Sequence, residues 1–230
     1  EVSVEYKVVN PATGQVEREF PTATDGEISS AIDRTHGAFA AWSATPLAER
    51  AAILSRVADL YDERTSELAA IITREMGKTT AEATGEIEFV VAIYRYYADN
   101  AETLLADTPL PTDTGGRAVV RKSAIGALLG IMPWNYPYYQ VARFAGPNLL
   151  VGNTVLLKHA PQCPESALAM ERLFHDAGVP ADAYVNIFAT NEQAATIIAD
   201  PRVRAAYVTG SERAGTAVAA LAGAHLKKGV

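Results

Sequence analysis

Residues 133–137 combine an amide side chain with two prolines, a pattern suited to holding a hydrogen-bond donor at one point. They read Pro-Trp-Asn-Tyr-Pro, so that Asn135 lies between Pro133 and Pro137. Because proline restricts φ to about −65°, the amide between them can be directed at a fixed position. A preorganised donor of this kind stabilises a developing oxyanion by roughly 3 kcal/mol. The same residues also suit a rigid turn in which Asn135 is structural, and the spacing alone leaves both interpretations open.

The segment 210–215, Gly-Ser-Glu-Arg-Ala-Gly, has features of a phosphate-binding turn. It follows a predicted strand and opens a predicted helix, whose free backbone N–H groups and positive dipole end suit a phosphate. It is not the G-x-x-x-x-G-K-[ST] loop, because Thr216 stands where that motif has Lys, and it lacks the G-x-G-x-x-G spacing. Ser211 also suits a simple helix cap, so the motif is weak alone.

Two cations lie near these motifs in the sequence. Lys158 ends a predicted strand, where it could reach a ribose hydroxyl or a phosphate, or could be a surface lysine whose stem lies along the sheet. Arg143 follows Asn135 within an apolar predicted helix. An arginine there forms either a structural ion pair or a contact with an anionic substrate.

The single cysteine and the four histidines indicate neither a nucleophile nor a metal site. Cys163 stands at a predicted helix start, where a thiol pKa can be lowered. No histidine is adjacent to it on a usable face, and we interpret this thiol as unreactive. The histidines lack the spacing of metal ligands, so we predict no metal.

The elements that must position these residues alternate from residue 123 onward. The predicted strands cover 127–132, 154–157, 184–188 and 205–208, and the predicted helices cover 137–151, 164–177, 191–199 and 211–222. Such alternation predicts an α/β fold with a Rossmann-like parallel sheet, flanking helices and right-handed crossovers. Ligands bind at the carboxyl ends of strands in such sheets, where Asn135, Lys158 and Gly210 fall.

The first part of the chain has a different pattern. Apolar residues recur every three or four positions from about 24 to 105, as amphipathic helices require; Thr45-Pro46 is interpreted as a helix cap. Prolines and a Gly-Gly pair around a β-rich stretch predict a hairpin over 107–122. We therefore divide the chain into an N-terminal helical part (1–106), a hairpin arm (107–122) and a Rossmann-like part (123–230).

Composition excludes several classes of protein. A hydrophobic content of 49% with 20% charged residues is typical of a globular protein. The net charge of −7 argues against a nucleic-acid partner, and no apolar run approaches the roughly 18 residues of a membrane span. The N-terminus lacks the pattern of a signal peptide, and a single cysteine favours a reducing, cytoplasmic location.

In their order, these motifs resemble the aldehyde dehydrogenase superfamily. The resemblance rests on Ile-Met-Pro-Trp-Asn-Tyr-Pro at 131–137, Gly-Asn-Thr-Val-Leu-Leu-Lys at 152–158 and Val-Thr-Gly-Ser at 208–211. It covers nearly the whole chain, including the Gly77-Lys78 phrase. Within the family, the chain most resembles the bacterial NADP-dependent succinate-semialdehyde dehydrogenases.

The resemblance implies roles for particular residues. Asn135 would be the catalytic oxyanion donor, and Arg143 would bind the carboxylate of the substrate. The adenosine-ribose pocket and the pyrophosphate contact would be formed by Trp134, Lys158, Gly210, Ser211 and Gly215. Pro161 stands where NAD-preferring relatives commonly have Glu, which implies NADP as cofactor, with NAD possible.

The resemblance also implies an activity and an assembly. The intact enzyme would oxidise a small aldehyde, succinic semialdehyde, to succinate, and it would be a homo-oligomer, a dimer or a tetramer, joined through the 107–122 arm. The family's general-base Glu and nucleophilic Cys would lie beyond Val230, in a catalytic domain that this chain lacks. The chain alone is therefore expected to be a truncated, inactive, cofactor-binding part.

The sequence also bears on two other functions. A non-catalytic nucleotide-binding or assembly module would also lack a nucleophile. A short-chain dehydrogenase would need a Tyr-x-x-x-Lys pair, and none of the ten tyrosines has a lysine four residues later.

Overall fold

The computed structural model describes residues 5–113 and 115–230, in which helices come first and then alternate with short strands. The helices are α1 (Asp25–Ala44), α2 (Leu47–Glu63), α3 (Thr65–Met76), α4 (Thr80–Asp99), α5 (Ala101–Leu105), α6 (Pro137–Val151), α7 (Pro164–Ala177), α8 (Asn191–Ala199) and α9 (Glu212–Ala224). The strands are β1 (Tyr6–Val9), β2 (Val16–Phe20), β3 (Thr108–Leu110), β4 (Ala118–Val120), β5 (Ala127–Ile131), β6 (Thr154–Lys158), β7 (Tyr184–Asn186), β8 (Val203–Val208) and β9 (Lys228–Gly229).

Side-chain caps define the starts of several helices. Thr24 and Glu27 form a reciprocal capping box at the start of α1, and α4 and α8 begin with the same arrangement. The predicted cap at Thr45 is wrong, because this residue ends α1 and its hydroxyl donates to the carbonyl of Ala41 at 3.1 Å. Helix α2 begins at Leu47 after Pro46 without a side-chain cap. Pro46 occupies the N-cap position of α2, and its side chain has no atom that could accept a hydrogen bond.

The main sheet has the strand order β7-β6-β5-β8-β9, and each neighbouring pair is parallel. This confirms the predicted α/β, Rossmann-like class. The chain leaves β5 for β6 on one side and later enters β8 on the other side. The carboxyl end of β5 is therefore the point where strand order reverses, which is where open α/β sheets bind ligands.

Alternate residues of the strands pack into two hydrophobic cores, one on each face of the sheet. Leu128 and Val155 pack with α2, α3, α4, α6 and α7. Leu129 and Leu156, one residue further along each strand, pack with α1, α8 and α9. Burial on both faces explains the continuous apolar runs of these strands, which is the sequence pattern of a parallel sheet.

Gly130, in the middle of β5, allows α6 to lie close to the sheet. A Cβ atom at this position would stand 2.4 Å from Cε1 of Phe144, a separation that real Cβ atoms do not show. The Phe144 ring also contacts that of Tyr207 on β8, with the centroids 5.1 Å apart. The position of α6, which follows the 133–137 turn, therefore depends on the absence of a side chain at Gly130.

The structure contains strands that the sequence patterns did not predict. An antiparallel hairpin of β1 and β2 precedes α1, and its residues Tyr6, Val8 and Phe20 are buried. The tyrosine hydroxyl donates to the carbonyl of Ala189 at 2.8 Å, which ties the hairpin to the loop before α8. Strand β9 adds a fifth strand to the four that were predicted in the sheet.

The predicted hairpin at 107–122 is confirmed as the antiparallel pair β3 and β4. Thr114, part of the predicted turn signal, lies outside the described residues. The division into 1–106, 107–122 and 123–230 stays a prediction. None of the helices in the described ranges combines the length and the apolar character needed to cross a membrane.

Candidate functional site

The structure brings three predicted site segments to one edge of the sheet. The backbone N–H of Met132 donates to the carbonyl of Lys158 at 3.1 Å, and that of Thr209 donates to the carbonyl of Ile131 at 3.0 Å. These bonds join β5 to β6 and to β8 where the strands end. The 133–137 turn, Lys158 and the 210–215 turn consequently follow neighbouring strands at their carboxyl ends, as the sequence predicts.

A cleft of about 430 Å³ opens at this edge, on the side of α8 and α9. Its polar lining consists of Lys158, Asn191, Ser211 and Arg213. The Lys158 side chain is buried, with 5% of its surface exposed, and burial lowers the pKa of its ammonium. The described residues offer that ammonium no hydrogen bond or salt bridge; the Glu5 carboxylate acts on it only through longer-range electrostatics, and the ring of Tyr6 lies 5.9 Å away. A buried cation that lines a cleft in this way suits an anionic or hydroxyl-bearing ligand.

The start of α9 forms another wall of this cleft. The Ser211 hydroxyl accepts a hydrogen bond from the N–H of Ala214 at 3.3 Å, so the helix-cap interpretation is correct. The positive end of the helix dipole points to the same place. A Cβ at Gly210 would make only an ordinary contact of 3.6 Å with Ala214, and one at Gly215 would meet nothing within 4 Å. Packing within the described protein therefore requires neither glycine, and the space beside them is open to a ligand.

The 133–137 turn is fixed through its backbone carbonyl groups. The Trp134 carbonyl accepts from the Cys163 thiol at 3.9 Å, and the Asn135 carbonyl accepts from the Lys78 ammonium at 3.1 Å. The carbonyl of Tyr136 accepts from a backbone N–H within α6. Four consecutive carbonyls are bound in all, because His159 donates to the next one, that of Pro137, at 2.9 Å. The turn is therefore rigid, as the two prolines predict.

The Asn135 side chain itself extends into solvent-accessible space. It is exposed and lines a cavity of about 540 Å³ together with Lys78, Glu86, Phe89 and Tyr136. The described residues leave its amide without a hydrogen-bond partner. A fixed backbone carrying a free amide donor is the arrangement that oxyanion stabilisation requires.

Arg143 lies on the exposed surface of α6. Its guanidinium donates to the side chain of Gln140 at 3.1 Å and lies 5.5 Å from the centre of the Tyr139 ring. No carboxylate among the described residues pairs with it, so the structural ion pair considered from the sequence is not found there. It lines a cavity of about 400 Å³ with Tyr207 and Thr209, different from the cavity that Asn135 lines. The structure thus places Asn135 just before α6 and Arg143 in the middle of that helix, without bringing them into one cavity.

Two further residues differ from the simplest expectation. Trp134 is 49% exposed and is not among the side chains that line the Lys158 cleft. Cys163 lies close to the Asn135 turn, because its thiol donates to the backbone carbonyl of Trp134. The thiol is buried, and burial raises its pKa. Its interpretation as unreactive is consistent with this environment, because the thiolate is the nucleophilic form.

Sequence reasoning missed three residues of this site. Arg213 lines the cleft, and the signal was a cation in the first turn of a helix, where the dipole disfavours positive charge. Lys78 and Glu86 lie at the Asn135 turn. The sequence offered no signal for these two, because their contacts join Lys78, between α3 and α4, and Glu86, on α4, to backbone that lies more than fifty residues later.

These features define an α/β protein with an anion-compatible cleft beside a rigid, amide-bearing turn. The model of the aldehyde dehydrogenase family matches residues 1–230. The chain belongs to this family.

The chain is also similar to individual members. It is 51% identical to the succinate-semialdehyde dehydrogenase [NADP(+)] of Deinococcus radiodurans, over 97% of this chain and 46% of that protein. It is 41% identical to the succinate-semialdehyde dehydrogenase [NADP(+)] 1 of Mycobacterium tuberculosis, over 95% of this chain and 48% of the relative. The chain therefore spans about half the length of the curated relatives it matches.

Solved structures show the same similarity. The succinic semialdehyde dehydrogenase of Streptococcus pyogenes, determined in complex with NADP+ as the cofactor, superposes with a TM-score of 0.94 at 40% identity. The match covers 97% of this chain and 49% of that one.

Proposed function

We propose that this chain forms the cofactor-binding part of an NADP-dependent succinate-semialdehyde dehydrogenase and contributes the oxyanion donor to its active site. The observation that carries the proposal is the juxtaposition of two features at one sheet edge. Lys158 is a buried cation lining a cleft, and Asn135 presents a free amide from a turn in which the carbonyls of residues 134–137 are bound. Relatives named for this activity are similar over nearly the whole chain.

The residues of the cleft fit NADP. Lys158 would bind the ribose or its 2′-phosphate, and the start of α9 at Ser211 would bind the pyrophosphate. Arg213 adds a second positive charge to the same cleft. Gly210 and Gly215 leave room for the cofactor, and Trp134 would complete the adenosine-ribose pocket. When bound, NADP supplies the acceptor for the hydride that leaves the substrate carbon.

Asn135 would act on the aldehyde itself. In the intact enzyme, a cysteine thiolate outside these 230 residues attacks the carbonyl carbon, and the carbonyl oxygen becomes negative. The Asn135 amide donates a hydrogen bond to that oxygen. Arg143, exposed and free of a described carboxylate partner, would bind the second, ionised end of succinic semialdehyde.

The paired strands β3 and β4 would form the arm through which the enzyme assembles into a homo-oligomer. Leu110 and Val120 are 47% and 48% exposed on this hairpin. Apolar side chains on a projecting hairpin suit burial against another copy of the chain.

The test is an assay of the purified full-length protein from its natural source. NADPH formation is measured with succinic semialdehyde and, separately, with butyraldehyde, and each is repeated with NAD. We expect the highest kcat/KM for succinic semialdehyde with NADP. Absence of reduced cofactor with every aldehyde would contradict the proposal and favour a nucleotide-binding module without catalysis.

A further inference from the structure

Lys78 has contacts that the proposed reaction, as described above, does not use. It follows Gly77, whose left-handed backbone (φ 80°) ends α3. Its side chain is only 9% exposed. Its ammonium donates to the carbonyl oxygen of Asn135 at 3.1 Å and lies 3.7 Å from the centre of the Tyr136 ring. A long cationic side chain is thus immobilised against the turn that presents the candidate oxyanion donor.

Glu86, on α4, is the partner of this lysine. One carboxylate oxygen pairs with the Lys78 ammonium. The other accepts hydrogen bonds from the backbone N–H groups of Tyr138 and Tyr139 at 2.9 and 3.1 Å. These N–H groups belong to the first turn of α6, which has no partners within its own helix. The carboxylate side chain is fully buried, so its charge is compensated by these contacts instead of by water.

The two side chains therefore hold the backbone that immediately follows the Asn135 side chain. Lys78 fixes the carbonyl of Asn135, and Glu86 fixes the start of the helix three residues later. Rotation of the peptide group that follows Asn135 would break the bond to Lys78. The Asn135 side chain branches from the same backbone, so a shift of the turn after loss of these contacts would displace the amide. Neither Lys78 nor Glu86 has to touch the substrate to have this effect.

We propose that Lys78 and Glu86 are positioning residues that hold the Asn135 amide in its oxyanion-binding direction. The inference rests on the proposed aldehyde dehydrogenase function. A misplacement of about 1 Å in a reacting group can cost about a hundredfold in rate. Loss of the Lys78 contact should therefore reduce kcat while leaving the cofactor cleft, which lies beside β6 and α9, unchanged.

The experiment is a double-mutant cycle in the full-length enzyme, with kcat and KM for succinic semialdehyde and the Kd for NADP measured for each variant. Lys78→Met keeps the aliphatic stem and removes the ammonium. Alone, it should lower kcat roughly ten- to hundredfold with the Kd for NADP unchanged. In the Asn135→Ala background it should change kcat by less than about twofold, because the group it positions is already absent. Lys7→Met, at an exposed position on β1, is the matched control.

Glu86→Gln provides a second variant if Lys78→Met does not fold. Its amide oxygen can still accept from the start of α6, but its NH₂ group faces the Lys78 ammonium and cannot pair with it. Glu86→Gln should lower kcat to a similar extent as Lys78→Met, and this reduction should also disappear in the Asn135→Ala background.

The outcomes separate the inference from the function on which it rests. If Lys78→Met or Glu86→Gln lowers kcat equally with and without the Asn135 amide, or leaves kcat unchanged, the inference is overturned while the function stands. If wild type oxidises no aldehyde, the proposed function fails, and the inference fails with it.

Discussion

His159 donates its Nε2–H to the carbonyl oxygen of Pro137 at 2.9 Å, which links the end of β6 to the first residue of α6. The other ring nitrogen accepts from the N–H of Ala160 at 2.8 Å. These two partners assign the single proton of a neutral imidazole to Nε2. A buried neutral histidine therefore helps to hold the turn that carries Asn135.

The first prediction concerns the pH dependence of this contact. Burial lowers the pKa of His159 to about 4, from 6.5. Between these values the unfolded chain binds more protons than the folded chain. The stability that the neutral imidazole provides is thus fully present above pH 6.5 and is lost as the pH falls towards 4. The total change in the free energy of unfolding that this pKa shift causes is on the order of 3 kcal/mol.

The measurement compares wild type with His159→Gln by urea unfolding at several pH values. The comparison is needed because burial raises the pKa of Glu75 to about 7. The contribution of Glu75 to the free energy of unfolding therefore increases as the pH falls, opposite to that of His159. The wild-type minus variant difference in unfolding free energy should decrease between pH 6.5 and 4. His36→Gln, at an exposed histidine, is the control. If the difference in unfolding free energy between wild type and His159→Gln does not vary with pH, His159 is not a buried imidazole that must lose its proton on folding.

The regular part of the fold could be read from the sequence because local patterns specify it. The predicted limits of α6, α7 and α8 agree with the structure, since Pro at the first helical position or a Thr cap begins each helix and Gly152 and Gly178 end two of them. Strand β9 has only two residues, so it has no periodicity to detect. The β1–β2 hairpin has a strand whose first four residues are exposed and mostly polar, so it lacked the expected alternation.

The site was predictable only where one segment supplies the chemistry. The turns around Asn135 and Ser211 carry their own prolines and glycine, and the parallel-sheet rule brings them together. The contact between Lys78 and Asn135 joins residues far apart in sequence. No spacing rule applies to such a pair, because only the tertiary fold brings the segment between α3 and α4 beside the turn before α6.

The second prediction is that Asn135 is required for turnover. In the full-length enzyme, Asn135→Ala should lower kcat by about a hundredfold or more, which corresponds to roughly 3 kcal/mol for one oxyanion donor. The Kd for NADP should stay within about twofold of wild type, because Asn135 does not line the cleft of Lys158. Steady-state kinetics and a cofactor titration measure the two effects. Turnover close to that of wild type would show that Asn135 is a structural residue.

The third prediction assigns Arg143 to the substrate. Its guanidinium is exposed and has no described carboxylate partner. Arg143→Leu should therefore raise KM for succinic semialdehyde by roughly tenfold or more, the effect of losing a charged hydrogen bond. The uncharged substrate butyraldehyde is the control, and its KM should change little. An equal increase for both substrates would indicate a role in packing only.

The fourth prediction concerns cofactor choice. Pro161 follows the end of β6 at Lys158, where it carries no charge. Pro161→Glu should lower the preference for NADP over NAD by about tenfold, or ~1.4 kcal/mol, because a carboxylate repels a 2′-phosphate and can accept from ribose hydroxyls. Pro201→Glu adds the same charge before β8, at the opposite end of the sheet, and should leave the preference unchanged. Competitive titration with both cofactors measures the ratio. An unchanged or increased preference for NADP in the Pro161 variant would refute the assignment.

The fifth prediction is that residues 1–230 alone do not oxidise aldehydes. Cys163 is the single cysteine of the sequence, and its side chain is buried. It stands before the first residue of α7, where the helix dipole favours a thiolate, but burial dominates and raises its pKa. The thiol therefore stays protonated at neutral pH and donates to the backbone of Trp134.

Without a thiolate, no bond forms to the aldehyde carbon, and the Asn135 amide has no oxyanion to stabilise. Purified chain of confirmed mass should bind NADP but form no NADPH from succinic semialdehyde. Binding is measured by titration, which shows that the cofactor cleft is folded in the same sample. Cys163→Ser serves as the matched variant and should be indistinguishable from wild type in both measurements. NADPH formation that disappears in Cys163→Ser would show that this buried thiol is the nucleophile, and it would move the active site from the free amide of Asn135 to the start of α7.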